Sequence, residues 1–287
     1  MRLLSTILAI MMSVVASAQR CHYLPEDSVF ITRLLDSART LDGSECKELF
    51  FAGKFLGRPY VAHTLEVFDD ERLVINTRQL DCTTLVENVA ALTMCANVGK
   101  LTFSDFKKAL MTLRYRGGVM NGYTSRLHYF SDWIEDKTRM GIVREIQEPN
   151  PPFTALQRLS VYYMSGHPKA YKALAADTKL VPVIRRQEQA LNGKTYRYIP
   201  KAAVRNDELM RKAVKDGDII AITCNKKGLD IAHLGYAVWH DDGLHLLNAS
   251  MIHRKVVKEP MTLREYLGKH PSHTGIRIIR INSKTIK

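Results

Sequence analysis

The sequence predicts an α+β fold, helical in its N-terminal part and built around a mostly antiparallel sheet in its C-terminal part. Three observations carry that prediction. Apolar residues recur at helical spacing from Ser28 to Arg114, whereas from Gly217 onward the chain breaks into short β-rich runs, DIIAITC, HLGYAVW, LHLLNAS and GIRIIRI. Segregated helices and strands mark α+β rather than an alternating α/β architecture. Finally, Cys82 opens the apolar stretch CTTLVENVAALTMCANV and His233 opens a strand far downstream, which sets a candidate nucleophile at a helix start and a candidate base on the sheet.

Residues 1–18, MRLLSTILAIMMSVVASA, combine one Arg, an apolar run too short for a comfortable span and the small-residue site Ala16-Ser17-Ala18. This is the pattern of a secretory signal cleaved near Ala18, and it implies a periplasmic or secreted protein. Gln19 and Arg20 separate the cleavage site from Cys21, which argues against a lipoprotein. Charged residues interrupt every later apolar stretch, so no membrane span is expected. Residues 19–287 hold no Pro/Gly/Ser-rich linker and no internal repeat; one domain with insertions, acting as a monomer, is expected.

Within that domain the spacing predicts helices over 28–41 and 44–56, the second stopping at Gly57 before Pro59. GRPYVAHTLE follows as a loop, and the alternating run RLVINTRQL as a short strand that delivers the chain to Asp81. Asp81 suits the N-cap of a helix over 82–98, and another helix is expected over 104–114. The aromatic, basic and amide-rich segment from Gly117 to Gly141 reads as a loop with a short helix, of the kind that lines a ligand cleft. Pro151-Pro152 marks a surface connection, mixed helix runs to Ala176, and Asn192-Gly193 is expected to be a tight turn between extended runs. Asp242-Gly243 marks a hairpin turn after the His233 strand.

The formal net charge of +13 favours an anionic partner. Lys and Arg are scattered, however, and the chain carries no helix-turn-helix, zinc-finger or RNA-binding fingerprint, so nucleic acid is not expected. Export points instead to cell-envelope polymers. Five cysteines in an exported chain suit one free catalytic thiol plus up to two disulfides among Cys21, Cys46, Cys95 and Cys224. Cys95 shares the apolar helix of Cys82 and is expected to be buried packing. No CxxC or Cys/His ligand spacing occurs, so neither a metal nor another cofactor is expected.

A helix N-terminus carries partial positive charge and unpaired N–H groups, so it favours a thiolate and can donate to an oxyanion beside it. The polar neighbours Asp81, Thr83 and Thr84 place Cys82 where the helix meets a cleft, not in mid-core where an inert thiol would sit. His233 needs a third group at its distal nitrogen to fix the tautomer. Asn248 is the candidate, because antiparallel pairing across the Asp242-Gly243 turn brings it near the start of the His233 strand. His245 lies at the wrong end of that hairpin. Asp230 is a further candidate, either to support His233 or to bind substrate.

Taken in order, GRPYVAHTLEV, LDCTTLVENV, SRLHYFSDW, GLDIAHLG and LLNAS resemble the NlpC superfamily of papain-like cell-wall hydrolases. The similar branch is the one described as N-acetylmuramoyl-L-alanine amidase-like, long carried as a domain of unknown function. The resemblance runs from residue 45 to the C-terminus and implies a papain-like fold, with Cys82 as nucleophile, His233 as base and then acid, and Asn248 as the third member. Tyr60 matches a tyrosine that such enzymes place beside the nucleophile. The SRLHYFSDW block implies substrate contacts from Arg126, His128, Asp132 and Trp133; an Arg126–Asp132 ion pair and a core role for Trp133 are the structural alternatives. His63 stands where the related pattern has glycine.

The implied partners are peptidoglycan fragments. The implied reaction is hydrolysis of the amide between N-acetylmuramic acid, in 1,6-anhydro form, and L-alanine, which suits turnover or recycling of released muropeptides. Two other readings stay open: an endopeptidase cutting between D-glutamate and the diamino acid of the stem peptide, and a muropeptide-binding protein without activity. An exported thiol oxidoreductase is disfavoured because no CxxC accompanies Cys82.

Overall fold

The computed structural model describes residues 21–283, so the segment read as a secretory signal lies outside the described residues. In chain order the strands and helices are β1 (Cys21–His22), α1 (Pro25–Ser37), α2 (Lys47–Gly53), β2 (Leu73–Val74), α3 (Cys82–Val98), α4 (Phe103–Arg114), α5 (Phe130–Arg139), β3 (Val143–Ile146), β4 (Ala155–Arg158) and α6 (Tyr163–Gly166). There follow α7 (Lys172–Ala176), α8 (Val181–Leu191), β5 (Thr195–Pro200), α9 (Glu208–Ala213), β6 (Ile219–Cys224), β7 (Ile231–Trp239), β8 (Leu244–Ser250), β9 (Lys255–Lys258), α10 (Leu263–Gly268) and β10 (His273–Ile281). Helix and antiparallel sheet thus combine as the α+β pattern predicts. The main sheet runs β4-β5-β10-β6-β7-β8-β9, and β3 pairs with the C-terminal half of β10 beyond the residues that meet β5.

Helix α3 is central because its sequence leaves no polar face along most of its length. Its start is fixed by Asp81, whose Oδ1 accepts from the Thr84 N–H at 2.8 Å while the Thr84 hydroxyl accepts from the Asp81 N–H at 2.9 Å. Its end is fixed by Gly99, whose φ of 68° is left-handed backbone that other residues resist. Between these ends Leu85, Val86, Val89, Ala90 and Leu92 are fully buried, packed between α1, α2 and α4 on one side and β7 and β8 on the other.

The sheet is covered on both faces. In β6 every residue is buried: Ile219 and Ala221 join the core around α3, while Ile220 and Ile222 join a second core with Met210 of α9 and Leu263 and Leu267 of α10. Coverage on both sides explains why this strand reads as an unbroken apolar run. Each such isoleucine contributes about 1.5–3 kcal/mol by burial. A third core gathers Tyr123 and Tyr129 from the stretch before α5 with Val161, Met164, Ile184 and Leu191 from the chain up to the end of α8.

Three expectations change. In RLVINTRQL only Leu73–Val74 is strand, parallel to β1, because the Asn76 Oδ1 accepts from the Arg78 and Gln79 N–H groups, both at 3.0 Å, and turns the chain. The Asn192-Gly193 pair follows a helix instead of joining two strands: VPVIRRQEQAL is α8, with Pro182 in its first turn, and the Asn192 side chain bonds the Val161 backbone. All five cysteines are free thiols. The disulfides do not form because each candidate has separate surroundings, Cys21 near Lys107 and Arg114, Cys46 near Glu48, Cys95 near Asp105, and Cys224 near Lys226. Among the described residues no helix is long and apolar enough to cross a membrane.

Candidate active site

Cys82 is the first residue of α3 and His233 the third of β7, and because α3 packs on β7 these two starts meet at one end of the sheet. Both side chains line a cavity of about 210 Å³, together with His128, Tyr129, Phe130, Tyr171 and Asp230. The aim of His233 is set by an irregularity: Ile222 pairs with His233 and Thr223 with Ile231, which leaves Ala232 as a β-bulge. His233 Nε2 lies 3.1 Å from Oδ1 of the fully buried Asn248. An amide oxygen only accepts, so Nε2 carries the proton and Nδ1 keeps its lone pair as a base. Gly235 lies two residues beyond His233 on β7, and a Cβ there would come within 2.6 Å of Leu246 Cγ. The imidazole is backed by Tyr266 of α10, ring centroids 6.4 Å apart.

Burial, reinforced by the Asp81 carboxylate, pushes the Cys82 thiol up to about 12, against hydrogen bonds from the Leu234 backbone and from the Thr83 backbone and hydroxyl. Burial likewise holds the His233 pKa below its ordinary value, against the Asn248 bond that favours the charged form. The resting pair is therefore a thiol and a neutral imidazole. The helix N-terminus alone argues for a thiolate; desolvation of the thiol and the neighbouring Asp81 carboxylate outweigh it.

Tyr60 stands beside Cys82: burial first, and then Cys82 and Asp81, push its phenol up to about 12, so it remains a neutral hydroxyl donor. His63, the residue in the glycine position, has a φ of 62°, the backbone that glycine adopts most freely, and it does not line the cavity. His128 lines the cavity, is held neutral by burial at a pKa of about 3, and donates Nε2–H to the Tyr123 carbonyl at 3.0 Å. Asp230 also lines it, with Oδ2 accepting from the Ser131 N–H at 2.7 Å, which caps α5 and pins the His128–Phe130 wall.

The structure does not bring Arg126, Asp132 and Trp133 into this cavity. Arg126 is bound bidentately to Glu71 at 3.1 and 2.7 Å, and Asp132 to Arg116 at 2.8 and 2.5 Å, so each is paired, though not with the other. Trp133 is 1% exposed and stacks on Phe130 in the core. Conversely, Tyr129, Tyr171, Tyr266 and the Leu234 backbone belong to the site or its border without being singled out in the sequence, whereas Thr83 is read there only as a polar neighbour of Cys82. Tyr171 and Tyr266 arrive from distant elements and carry no local signal. Among the described residues no three His, Cys, Asp or Glu side chains are grouped to hold a metal ion.

The fold matches a crystal structure of an N-acetylmuramoyl-L-alanine amidase from Bacteroides uniformis with a TM-score of 0.77 and 44% identity, over 82% of this chain and 97% of that one. A Bacteroides fragilis protein provisionally described as a xylanase is 42% identical, with a TM-score of 0.76, over 81% of this chain and 100% of that one. A Legionella pneumophila protein, 21% identical over 89% of this chain and 94% of its own, shares the fold with a TM-score of 0.69. No curated protein matches the chain. A family model, AmiA-like, described as N-acetylmuramoyl-L-alanine amidase-like, matches residues 50–276, and the chain belongs to that family.

Proposed function

We infer that this chain is an exported, papain-like cysteine amidase of the NlpC type, which hydrolyses the amide between N-acetylmuramic acid, in 1,6-anhydro form, and L-alanine in released peptidoglycan fragments. The observation that carries the reading is one cavity that holds Cys82 at a helix start and His233 oriented by Asn248. Family membership supports the scissile bond. The segment 1–18 acts as the signal that delivers a single-domain, monomeric enzyme to the periplasm or beyond.

In the proposed cycle the Cys82 sulfur attacks the lactyl carbonyl while its proton passes to Nδ1 of His233. Both groups rest neutral, so proton transfer accompanies attack. The imidazolium is held by Asn248 Oδ1, and the N–H groups of the first turn of α3 stabilise the oxyanion. His233 then protonates the alanine nitrogen, the C–N bond breaks and the stem peptide leaves. Water, deprotonated by His233, hydrolyses the thioester and regenerates the thiol. A glycosidase would need two carboxylates flanking the bond. Among the described residues Asp230 is the only carboxylate lining this cavity, and it is committed to the start of α5.

Mass spectrometry of products from anhydro-muramyl tetrapeptide tests the reading. Intact tetrapeptide and anhydro sugar are expected from wild type and not from Cys82→Ala. An anhydro-muramyl dipeptide product would mean the endopeptidase; binding without turnover would mean the binding protein.

A further inference from the structure

A second cavity, of about 200 Å³, shares a wall with the catalytic one. Tyr123 lines it and packs against His128 of the catalytic cavity, ring centroids 4.4 Å apart, and Lys172 lines it next to Tyr171 of the catalytic cavity. Its lining carries the carboxylates of Glu66, Asp69, Asp70, Glu71 and Asp177 against the cations Arg126 and Lys172.

Among the described residues, three polar groups in this lining have no hydrogen-bond partner, and Glu66 and Arg126 Nη1 are held only by long ion-pair contacts. The Tyr123 hydroxyl is buried with no hydrogen bond, on a residue only 8% exposed, and sits among the charges of Glu66, Arg126 and Glu71. Arg126 gives Nε and Nη2 to Glu71, while its Nη1 stands 3.8 Å from Glu66, too far for a hydrogen bond. Glu66 has that contact and His63 Nδ1 at 3.6 Å, and its side chain is only 19% exposed. A buried donor without a partner is costly, as the Tyr123 hydroxyl is here, and the loosely held Arg126 Nη1 and Glu66 carboxylate line the same space. The carboxylates are not grouped tightly enough for a metal ion.

We propose that this cavity is a subsite for a zwitterionic amino-acid end, its ammonium taken by Glu66 and its carboxylate by Arg126 Nη1 and the Tyr123 hydroxyl. In a wall-derived stem peptide that chemistry belongs to the free end of a meso-diaminopimelate residue. This rests on the amidase reading, which sets L-alanine at Cys82 and the diamino acid third along the stem. Extended chain covers about 10 Å over three residues, enough to pass the shared Tyr123–His128 wall. Charge-assisted hydrogen bonds of this kind are the strong ones, and the site would discriminate against a stem that lacks the third residue.

The test compares wild type, Tyr123→Phe and Glu66→Gln on anhydro-muramyl dipeptide, which does not reach the subsite, and on the tripeptide ending in meso-diaminopimelate. Isothermal titration of Cys82→Ala protein, with and without each subsite change, against the free dipeptide and the free tripeptide L-alanyl-γ-D-glutamyl-meso-diaminopimelate runs alongside. Wild type is expected to favour the tripeptide by about tenfold or more in kcat/KM, through KM, and each variant to shrink that ratio several-fold. Titration should show the same loss. Phe keeps the ring and removes an unpartnered hydroxyl, so Tyr123→Phe is expected to fold at least as stably. A ratio unchanged in both variants, or equal affinity for the two free peptides, overturns the subsite. No amide cleavage of either substrate overturns the amidase reading alone, because titration still reports on the cavity.

Discussion

Asn248 Oδ1 stands 3.1 Å from His233 Nε2, and this contact decides which imidazole nitrogen acts as base. Asn248→Ala is expected to lower kcat by about 10- to 100-fold, part of the roughly 10²–10⁴-fold that a positioned base supplies. KM should change little. Steady-state kinetics check the split, and a thermal melt checks that the variant is folded.

The pH profile follows from the same pair. His233 must be neutral to accept the thiol proton, and burial holds its pKa below 6.5. Activity is therefore lost as pH falls through that lowered value and is retained through neutrality, since the Cys82 thiol, pushed up to about 12, stays protonated there. A kcat/KM profile with its acid midpoint below 6.5 agrees; a midpoint at or above 6.5 contradicts the buried, neutral base.

Two neighbouring carboxylates should separate cleanly. Asp230 caps α5 and lines the cavity, so Asp230→Ala is expected to cost about 0.5–2 kcal/mol of stability. KM should rise as the His128–Phe130 wall loosens. Asp132 is paired with Arg116 away from the cavity, so Asp132→Asn should leave kcat/KM within about twofold. Denaturation curves and Michaelis plots of both variants give the comparison.

Stability has its own vulnerable pair. Arg114, 2% exposed, bonds Glu87 Oε2 at 2.7 Å and the Val74 carbonyl at 2.5 Å inside the helical core. Glu87→Gln leaves the guanidinium buried without its counter-charge, a loss of about 3–5 kcal/mol. The urea midpoint should fall while kcat of the folded protein is kept.

Much of this was legible in the sequence wherever one local rule sufficed. Helix α3 emerges with its predicted limits because Asp81, the apolar run and Gly99 all agree. The hairpin that carries His233 and Asn248 was readable from alternation and Asp242-Gly243. The remainder depends on tertiary partners. Asp230 was recognisable as a site residue, but its bond to Ser131 crosses a separation of 99 residues. The SRLHYFSDW block reads as one contact surface, yet the approach to α5 and its first residue send His128 and Phe130 to the cavity while Trp133 turns to the core. The protonation of the thiol depends on tertiary structure for a related reason: a helix start is visible in sequence, whereas desolvation of the side chain is not.

The most direct test of a Cys82 nucleophile is rapid-quench mass spectrometry of the protein during turnover of anhydro-muramyl tetrapeptide. The account predicts an acyl-enzyme with the added mass of the anhydro-muramoyl group, mapped to the peptide that contains Cys82, released by hydroxylamine and absent from Cys82→Ala. Turnover that persists in Cys82→Ala, with no adduct on the wild-type peptide, would contradict it.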